Sequence, residues 1–267
     1  ADALKARGAA AAFGVPADVA SAEQIDALGD AAVRLLGGVD ILVLNHGGPP
    51  PGTALEITEA QLIEWFPKIV LNPIRLATSL LPAMRAQKWG RIVTVGSTGM
   101  VQPIPNLALS NILRAAIVGW NKSLSSEVAG DNVTCNILAP GAILTDRQIE
   151  TQGSMAKKRG ITIEEQIKDR ATQIPAGRLG VASEFGPMGA FLASQHGAYI
   201  TGSIIRVDGD RAEAKSNYLV TVEGPDGPIA SVCGTYADRL VRLDSGWRFQ
   251  RRELIHAFKG VMRLQLP

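Results

Sequence analysis

Three side chains of this sequence have types and a spacing that suit holding an oxygen or an anion: Ser97, Ser110 and Arg114. Ser97 lies just past the run Ile92-Val93-Thr94-Val95, whose β-branched residues between Gly90 and Gly96 predict a short buried strand. In an open α/β sheet, ligands bind beyond the carboxyl ends of the strands, which is where Ser97 stands. Ser110 and Arg114 are four residues apart, one turn of a helix predicted over about 110–129, so they share a face. Arg114 carries a permanent charge and can hold phosphate or hydroxyl groups, but it cannot relay a proton. The Ser110 hydroxyl ionises far above neutral pH. Plainer readings stand beside these: Ser110 as the N-cap of its helix with Asn111 in the first turn, and Arg114 as the partner of a nearby carboxylate.

Other candidates lie in loops that follow predicted strands. Ile41-Leu42-Val43-Leu44 reads as a fully buried parallel strand running into Asn45-His46-Gly47-Gly48. Gly47 allows a close approach of backbone to a ligand. His46 is a ligand or an acid on one reading and a solvated loop residue on the other. Asp18-Val19 closes a segment, residues 9–19, that is predicted to hold a small strand. Val133-Thr134-Cys135-Asn136-Ile137-Leu138 is a further strand ending in Pro140-Gly141, with Thr145 four residues on.

The elements between must position these residues. Residues 1–8 read as the end of a helix closed by Gly8, so the chain looks as if it starts inside an element. Residues 21–36 predict a helix with Ser21 as N-cap, Gln24 completing a capping box, and Ile25, Leu28, Ala32 and Leu35 as its buried stripe. Thr58 caps the next helix, where Pro67 predicts a kink and Pro73 biases Asn72 away from helical backbone. In the helix after Ser110, the predicted buried positions are Ile112, Leu113, Ala116, Ile117, Trp120 and Leu124. Residues 146–175 read as mobile helix and loop.

The 267 residues suit one large domain or two small ones, and 46% apolar residues suffice for a sizeable core. A net charge of +2 implies no nucleic-acid or membrane field, and no apolar run is long enough to span a bilayer. Cys135 and Cys233 lie in no metal or redox spacing and read as thiols in a reducing cytoplasm, so no metal site is expected.

The strand-Ser97-loop-helix layout resembles the short-chain dehydrogenase/reductase family, in particular its 3-oxoacyl-[acyl-carrier-protein] reductase-like branch. Asn45 and Gly47, Asn72, Ser97, Pro140-Gly141 with Thr145, Gly177-Arg178-Leu179-Gly180 and the ending Tyr199 to Gly209 all match its motifs. The resemblance covers residues 1–209. It implies a carbonyl/alcohol oxidoreductase using NADP or NAD on a small-molecule substrate. It further implies Asn72, Ser97, Ser110 and Arg114 at the catalytic positions. Asp18 and Val19 would lie at the adenine, and Asn45, Gly47, Arg114, Pro140, Gly141 and Thr145 along the rest of the cofactor. Residues 146–175 would form a substrate lid, and the long helices after Pro49 and Ser110 would form a homo-oligomer. Two departures stand out. Ser110 and Arg114 occupy the family's Tyr and Lys positions, so its proton donor is replaced. No Gly-rich turn of the G-x-G-x-x-G type occurs in the chain, so the expected domain is an N-terminally truncated one in which the Val15 region is separated from the Ile41 strand.

From Arg211 the texture changes to alternating segments, 212–223, 229–243 and 247–256, parted by Gly224-Pro225-Asp226-Gly227 and Asp244-Ser245-Gly246. Gly234-x-Tyr236-x-Asp238, Gly246-Trp247-x-Phe249 and Arg251-Arg252 resemble the final strands of SnoaL-like proteins. Trp247 and Phe249 read as core, and Arg248, Arg251 and Arg252 as a solvated face. The expected fold is therefore α/β: an incomplete Rossmann-like doubly wound parallel sheet (1–209) with a C-terminal antiparallel three-strand β segment (210–267). Two alternatives to the reductase remain. One is a non-catalytic binding or scaffold protein. The other is a SnoaL-like isomerase or dehydratase with Asp238 or His256 as base.

Overall fold

The structure, a computed structural model, describes residues 1–174 and 176–208, and the backbone of three strands beyond them, 211–224, 227–243 and 246–263. The chain divides into two compact units. The first comprises Ala1–Val95 and Gly99–Cys135; the second comprises Gly96–Thr98 and everything from Asn136 onward.

The first unit contains α1 (Asp2–Lys5), α2 (Ala22–Leu36), β1 (Ile41–Leu44), α3 (Glu59–Phe66), α4 (Asn72–Ala86), β2 (Gly90–Val95), α5 (Ala108–Val128) and the start of β3 (Val133–Pro140). β1 and β2 run parallel with Ile41 opposite Arg91 and Leu44 opposite Thr94. Leu42, Leu44, Ile92, Val133 and Cys135 from the strands bury against Ala77, Leu80 and Met84 of α4 and Val128 of α5. The α4 residues recur at helical spacing, which is why that face meets the sheet. Within α5 the buried positions are Leu109, Leu113, Ile117, Asn121, Ser125 and Val128. That stripe is shifted from the predicted one: Ile112 is exposed, and Asn121 is buried because its amide donates to Cys135 O at 3.2 Å.

Several expectations are corrected here. β1 is not buried on both faces: Ile41 and Val43 are 44% and 56% exposed, while Leu42 and Leu44 are buried. The strand pairs with β2 along one edge, and α4 covers one of its faces, so alternate side chains meet solvent. Residues 9–19 form no strand; they run irregularly past α2. The buried face of α2 is Ile25, Gly29 and Ala31, whereas Leu28, Ala32, Leu35 and Leu36 line an open groove of about 260 Å³ with Phe13 and Val15. Ser21 caps α2 as expected, accepting from Gln24 N, but the Gln24 side chain reaches the N–H of Asp18 rather than that of Ser21.

Pro67 leaves its mark as predicted. The α3 helix gives way to a π turn over Pro67–Leu71, and α4 follows directly. The wider turn lets the Asn72 N–H reach Pro67 O, so Asn72 keeps right-handed helical backbone (φ −72°, ψ −37°) despite Pro73. The expected bias away from helix is overridden because α4 continues directly from the π turn, whose hydrogen bond from Asn72 N–H to Pro67 O holds Asn72 in helical backbone.

In the second unit, the rest of β3 pairs in parallel with β4 (Ile204–Asp208), Ile137 opposite Ile204 and Pro140 opposite Val207. Buried Asn136 is satisfied by donating to Ile200 O (2.6 Å) and accepting from Ser203 N (3.1 Å). Residues 146–175 hold two helices, α6 (Asp146–Arg159) and α7 (Ile163–Thr172). They are joined by Gln166 on Gln152 (3.0 Å) and by Arg159 on Gln166 and Asp169 (2.6 and 2.7 Å). α8 (Ala182–Ala193) follows, burying Met188 and Leu192. β4 then continues antiparallel into β5 (Arg211–Gly224), β6 (Gly227–Leu243) and β7 (Gly246–Arg263), the predicted meander with longer strands. The turn residues Pro225, Asp226, Asp244 and Ser245, and the side chains of Asp238, Trp247, Arg248, Phe249, Arg251, Arg252 and His256, lie outside the described residues.

Two expected outcomes follow from the first unit's core. A Cβ added at Gly90 would sit 2.7 Å from Met84 Cβ and 2.8 Å from its Sδ, and Met84 is fully buried. Gly90→Ala should therefore cost about 1–3 kcal/mol, read by urea unfolding. Burial pushes the Cys135 thiol up to about 12. Its thiolate is absent from the native state at neutral pH, and any stability it contributes is lost only as pH rises from the unfolded value of about 8.5 towards that figure. Iodoacetamide at pH 8 should leave Cys135 unmodified in folded protein and alkylate it after unfolding, as peptide mass mapping would show.

Candidate active site

The register of β1 with β2 decides what stands at their carboxyl ends. With Leu44 opposite Thr94, the loop Asn45-His46-Gly47 emerges beside Val95. Two further ties hold that loop. Gly52 N–H donates to Asn106 O (2.9 Å), and Ala108 N–H donates to Gly52 O (3.1 Å), so the loop after β1 is clipped to the head of α5. Asn111 then fixes the approach to α5 by exchanging two hydrogen bonds with the backbone of Ile104, 3.3 and 3.0 Å.

Ser110 and Arg114 project from the first turns of α5, between the buried Leu109, Leu113 and Ile117. Arg114 Nε donates to Ser110 Oγ at 3.2 Å, and Nη1 donates to Val95 O at 3.3 Å. Both side chains are half-buried. The guanidinium is thus anchored at the carboxyl end of β2. Ser110 is not the N-cap: the helix starts at Ala108 after Leu107, and Ser110 is already inside it, where its hydroxyl serves Arg114 instead of a backbone N–H.

His46 is no freely solvated loop residue. It is half-buried, with Nδ1 2.7 Å from Gly47 O. A carbonyl oxygen only accepts, so Nδ1 carries the proton and the neutral ring keeps its lone pair on Nε2. Burial holds the imidazole below its usual range; the Gly47 hydrogen bond pulls the other way, and the positive charge of Arg114 adds to the lowering. A Cβ built at Gly47 would meet nothing within 4 Å, so the backbone there faces open space.

Asn72, 3% exposed, turns its amide to donate to Val19 O at 2.7 Å. Asn72, expected at a catalytic position, is therefore linked directly to Val19, expected at the adenine. Asp18 is exposed, and its carboxylate accepts from Ala20 N at 2.8 Å.

The second unit carries Ser97, Pro140, Gly141 and Thr145. Gly96 N–H donates to Leu138 O (2.8 Å) and holds the start of the Ser97 loop to β3; Ser97 is half-buried. Gly141 N–H donates to Val207 O (2.8 Å), and a Cβ at Gly141 would stand 3.0 Å from Asp208 Cα, so no side chain fits there. Thr145 caps α6, accepting from Gln148 N at 3.3 Å. Among the described residues, no group of three His, Cys, Asp or Glu could hold a metal ion, and no helix is long and apolar enough to cross a membrane.

Residues 1–209 match the family model described as enoyl-(acyl carrier protein) reductase. The chain belongs to the short-chain dehydrogenase/reductase family. It is 35% identical to 3-oxoacyl-[acyl-carrier-protein] reductase of Vibrio cholerae over 198 residues, which are 73% of this chain and 76% of the relative. Among solved structures it is similar to L-sorbose reductase from Gluconobacter frateurii complexed with NADPH and L-sorbose (TM-score 0.73, 32% identity, 78% of this chain and 80% of that one). It is also similar to actinorhodin polyketide ketoreductase with NADPH (TM-score 0.69, 29% identity, 73% and 76% covered). The α/β, Rossmann-like fold class expected from sequence is the one found.

Sequence reasoning missed two positioning groups. The Val95 carbonyl that holds Arg114 is backbone and has no sequence signal. The Asn111 clamp had one, an Asn in the first turn after a Pro-containing loop, and it was read only as a helix-start residue. Asn72→Ala removes a buried donor while the exposed Val19 carbonyl regains water. A loss of about 1–2 kcal/mol is expected in urea unfolding, with faster amide exchange in residues 18–20.

Proposed function

We propose that the protein is an NAD(P)-dependent oxidoreductase that interconverts a carbonyl and an alcohol on a small molecule. The observation that supports this most is the fixed guanidinium. Arg114, a turn after Ser110, is anchored on Val95 O at the carboxyl end of β2, in a chain whose relatives are named reductases. Two of the similar solved structures hold NADPH, which favours that cofactor class.

The residues present fit the nicotinamide half of such a cofactor. The exposed Asn45 and the open backbone at Gly47 leave room for a ring and a ribose. Arg114 brings a permanent charge and several N–H donors for ribose hydroxyls. Pro140, Gly141 and Thr145 are assigned to the same cofactor by their match to the family motif, and Asp18 and Val19 to its adenine end. A bound nicotinamide supplies the hydride donor or acceptor. Ser97, by the same match, donates a hydrogen bond to the substrate oxygen and polarises it. Arg114 cannot move a proton, so the proton travels by another group: Ser110, water or a neighbouring base.

We assign residues 1–209 to the reductase domain, with α6 and α7 as the substrate lid, and 210–267 to a SnoaL-like segment. α3, α4 and α5 are the surfaces on which a homo-oligomer would form, and two cysteines in no metal or redox spacing suit a cytoplasmic setting.

Titrating NADPH and NADH against nicotinamide fluorescence tests the reading. Saturable binding at or below about 1 mM is expected, with Arg114→Ala weakening it about tenfold or more through loss of charge-assisted hydrogen bonds. A flat titration with both cofactors would defeat the proposal. Turnover of a ketone and alcohol panel by the binding-competent protein is the second expected result.

A further inference from the structure

The first unit brings a cation, Arg114, and a hydroxyl, Ser110, together at the end of β2, but nothing in the proposed scheme yet holds a proton that can be exchanged near neutral pH. His46 is the titratable side chain of the loop that the β1–β2 register sets beside Val95. We propose that His46 Nε2 is the atom that takes up, and returns, the proton of the substrate hydroxyl. This rests on the oxidoreductase reading and assigns the one role that reading leaves open.

The geometry supports it in three steps. First, position: His46 lies two residues past Leu44, whose partner Thr94 is adjacent to Val95, and Val95 O holds Arg114. The loop is clipped to α5 through Gly52, Asn106 and Ala108, so the imidazole and the guanidinium are held by two elements of the same unit. Second, tautomer: the 2.7 Å contact to Gly47 O consumes the Nδ1 proton and fixes the ring, leaving Nε2 as the basic atom. This is how a general base is normally oriented, with one ring nitrogen tied to the backbone and the other presented to solvent or substrate. Third, charge: burial and the Arg114 charge keep the ring neutral at pH 7, so Nε2 holds a lone pair and not a proton. Among the described residues, Arg114 on α5 is the charged group that acts on His46, and the Gly47 carbonyl is the dipole that opposes it.

The step balances. In alcohol oxidation the carbinol C–H bond gives its hydride to a nicotinamide in the oxidised form, the O–H bond gives its proton to Nε2, and a carbonyl results. In reduction, Nε2–H of the imidazolium returns that proton to the carbonyl oxygen as hydride arrives at carbon. The sign of the pH dependence follows. Oxidation needs the neutral ring, so kcat/KM should fall as pH drops through a value below the usual 6.5 and stay level above it; reduction should show the reverse.

The test combines a measurement on cofactor-free protein with kinetics. Nitrogen-15 NMR of the imidazoles, with His46 assigned by comparison with His46→Gln, should show Nδ1 protonated and Nε2 bare at pH 7. It should also show titration below 6.5 and a shift of the His46 resonances when NADPH is added. His46→Gln should still bind NADPH within about threefold of wild type and lose about 10²-fold or more in kcat/KM, with the pH limb described above removed. His46→Ala should regain part of the rate in added imidazole. If NADPH fails to bind wild type, the oxidoreductase reading itself falls. If NADPH binds and His46→Gln turns over within threefold of wild type, if Nε2 proves to be the protonated nitrogen, or if the cofactor-bound protein turns over nothing, the assignment of His46 is overturned.

Discussion

Parallel pairing of β1 with β2 is the constraint on which the candidate site depends. A shift of one residue in that register would move Leu42 and Leu44 off the face that meets α4 and bring Ile41 and Val43 onto it. The burial of Leu42 and Leu44 against Ala77, Leu80 and Met84 therefore holds the register. Once it is held, the loop after β1 leaves beside Val95, the last residue of β2. The loop after β1 gains its position from the apolar packing of its own strand and from the backbone clip of Gly52 to Asn106 and Ala108.

Polar contacts enter one layer later, and they are mostly between side chain and backbone. Arg114 rests on the Val95 carbonyl, Asn72 on that of Val19, His46 on that of Gly47, and Asn111 on both backbone groups of Ile104. A carbonyl oxygen has a second lone pair and no charge of its own, so it can orient a cation or an imidazole without neutralising it. A carboxylate in the same place would raise the affinity of the ring for a proton and quench the guanidinium. The arrangement keeps Arg114 positive and His46 neutral, a combination suited to binding an anion or hydroxyls beside a base.

The fold was legible where periodicity and caps were strong. The Ser21 cap, the Thr58 cap, the Ile92–Val95 strand and the strand ending at Pro140 all appear where the residues predict them. The misreadings share a cause. Leu28, Ala32 and Leu35 have the spacing of a buried stripe yet line an open groove, and Ile41 and Val43 have the composition of a core strand yet face solvent. Hydrophobicity states which surfaces would be stabilised by cover; it does not state whether cover is present. Asn72 errs in the other direction, since a local bias from Pro73 is overridden by a π turn that the helix before it makes.

For the site, the residue types and the interval from Ser97 to Arg114 were enough to name a family and an edge of a sheet, because strand-loop-helix spacing is a local property of the chain. What followed only from tertiary structure was the state of those residues. Ser110 is a partner of Arg114 and not a cap, because the helix begins two residues earlier, after a loop pinned by Asn111. His46 is half-buried and feels the charge of Arg114, a residue far away in sequence, while the neighbouring Gly47 carbonyl fixes its tautomer. Chemistry such as proton affinity depends on distances between segments that the linear order leaves unspecified, and folding alone sets them.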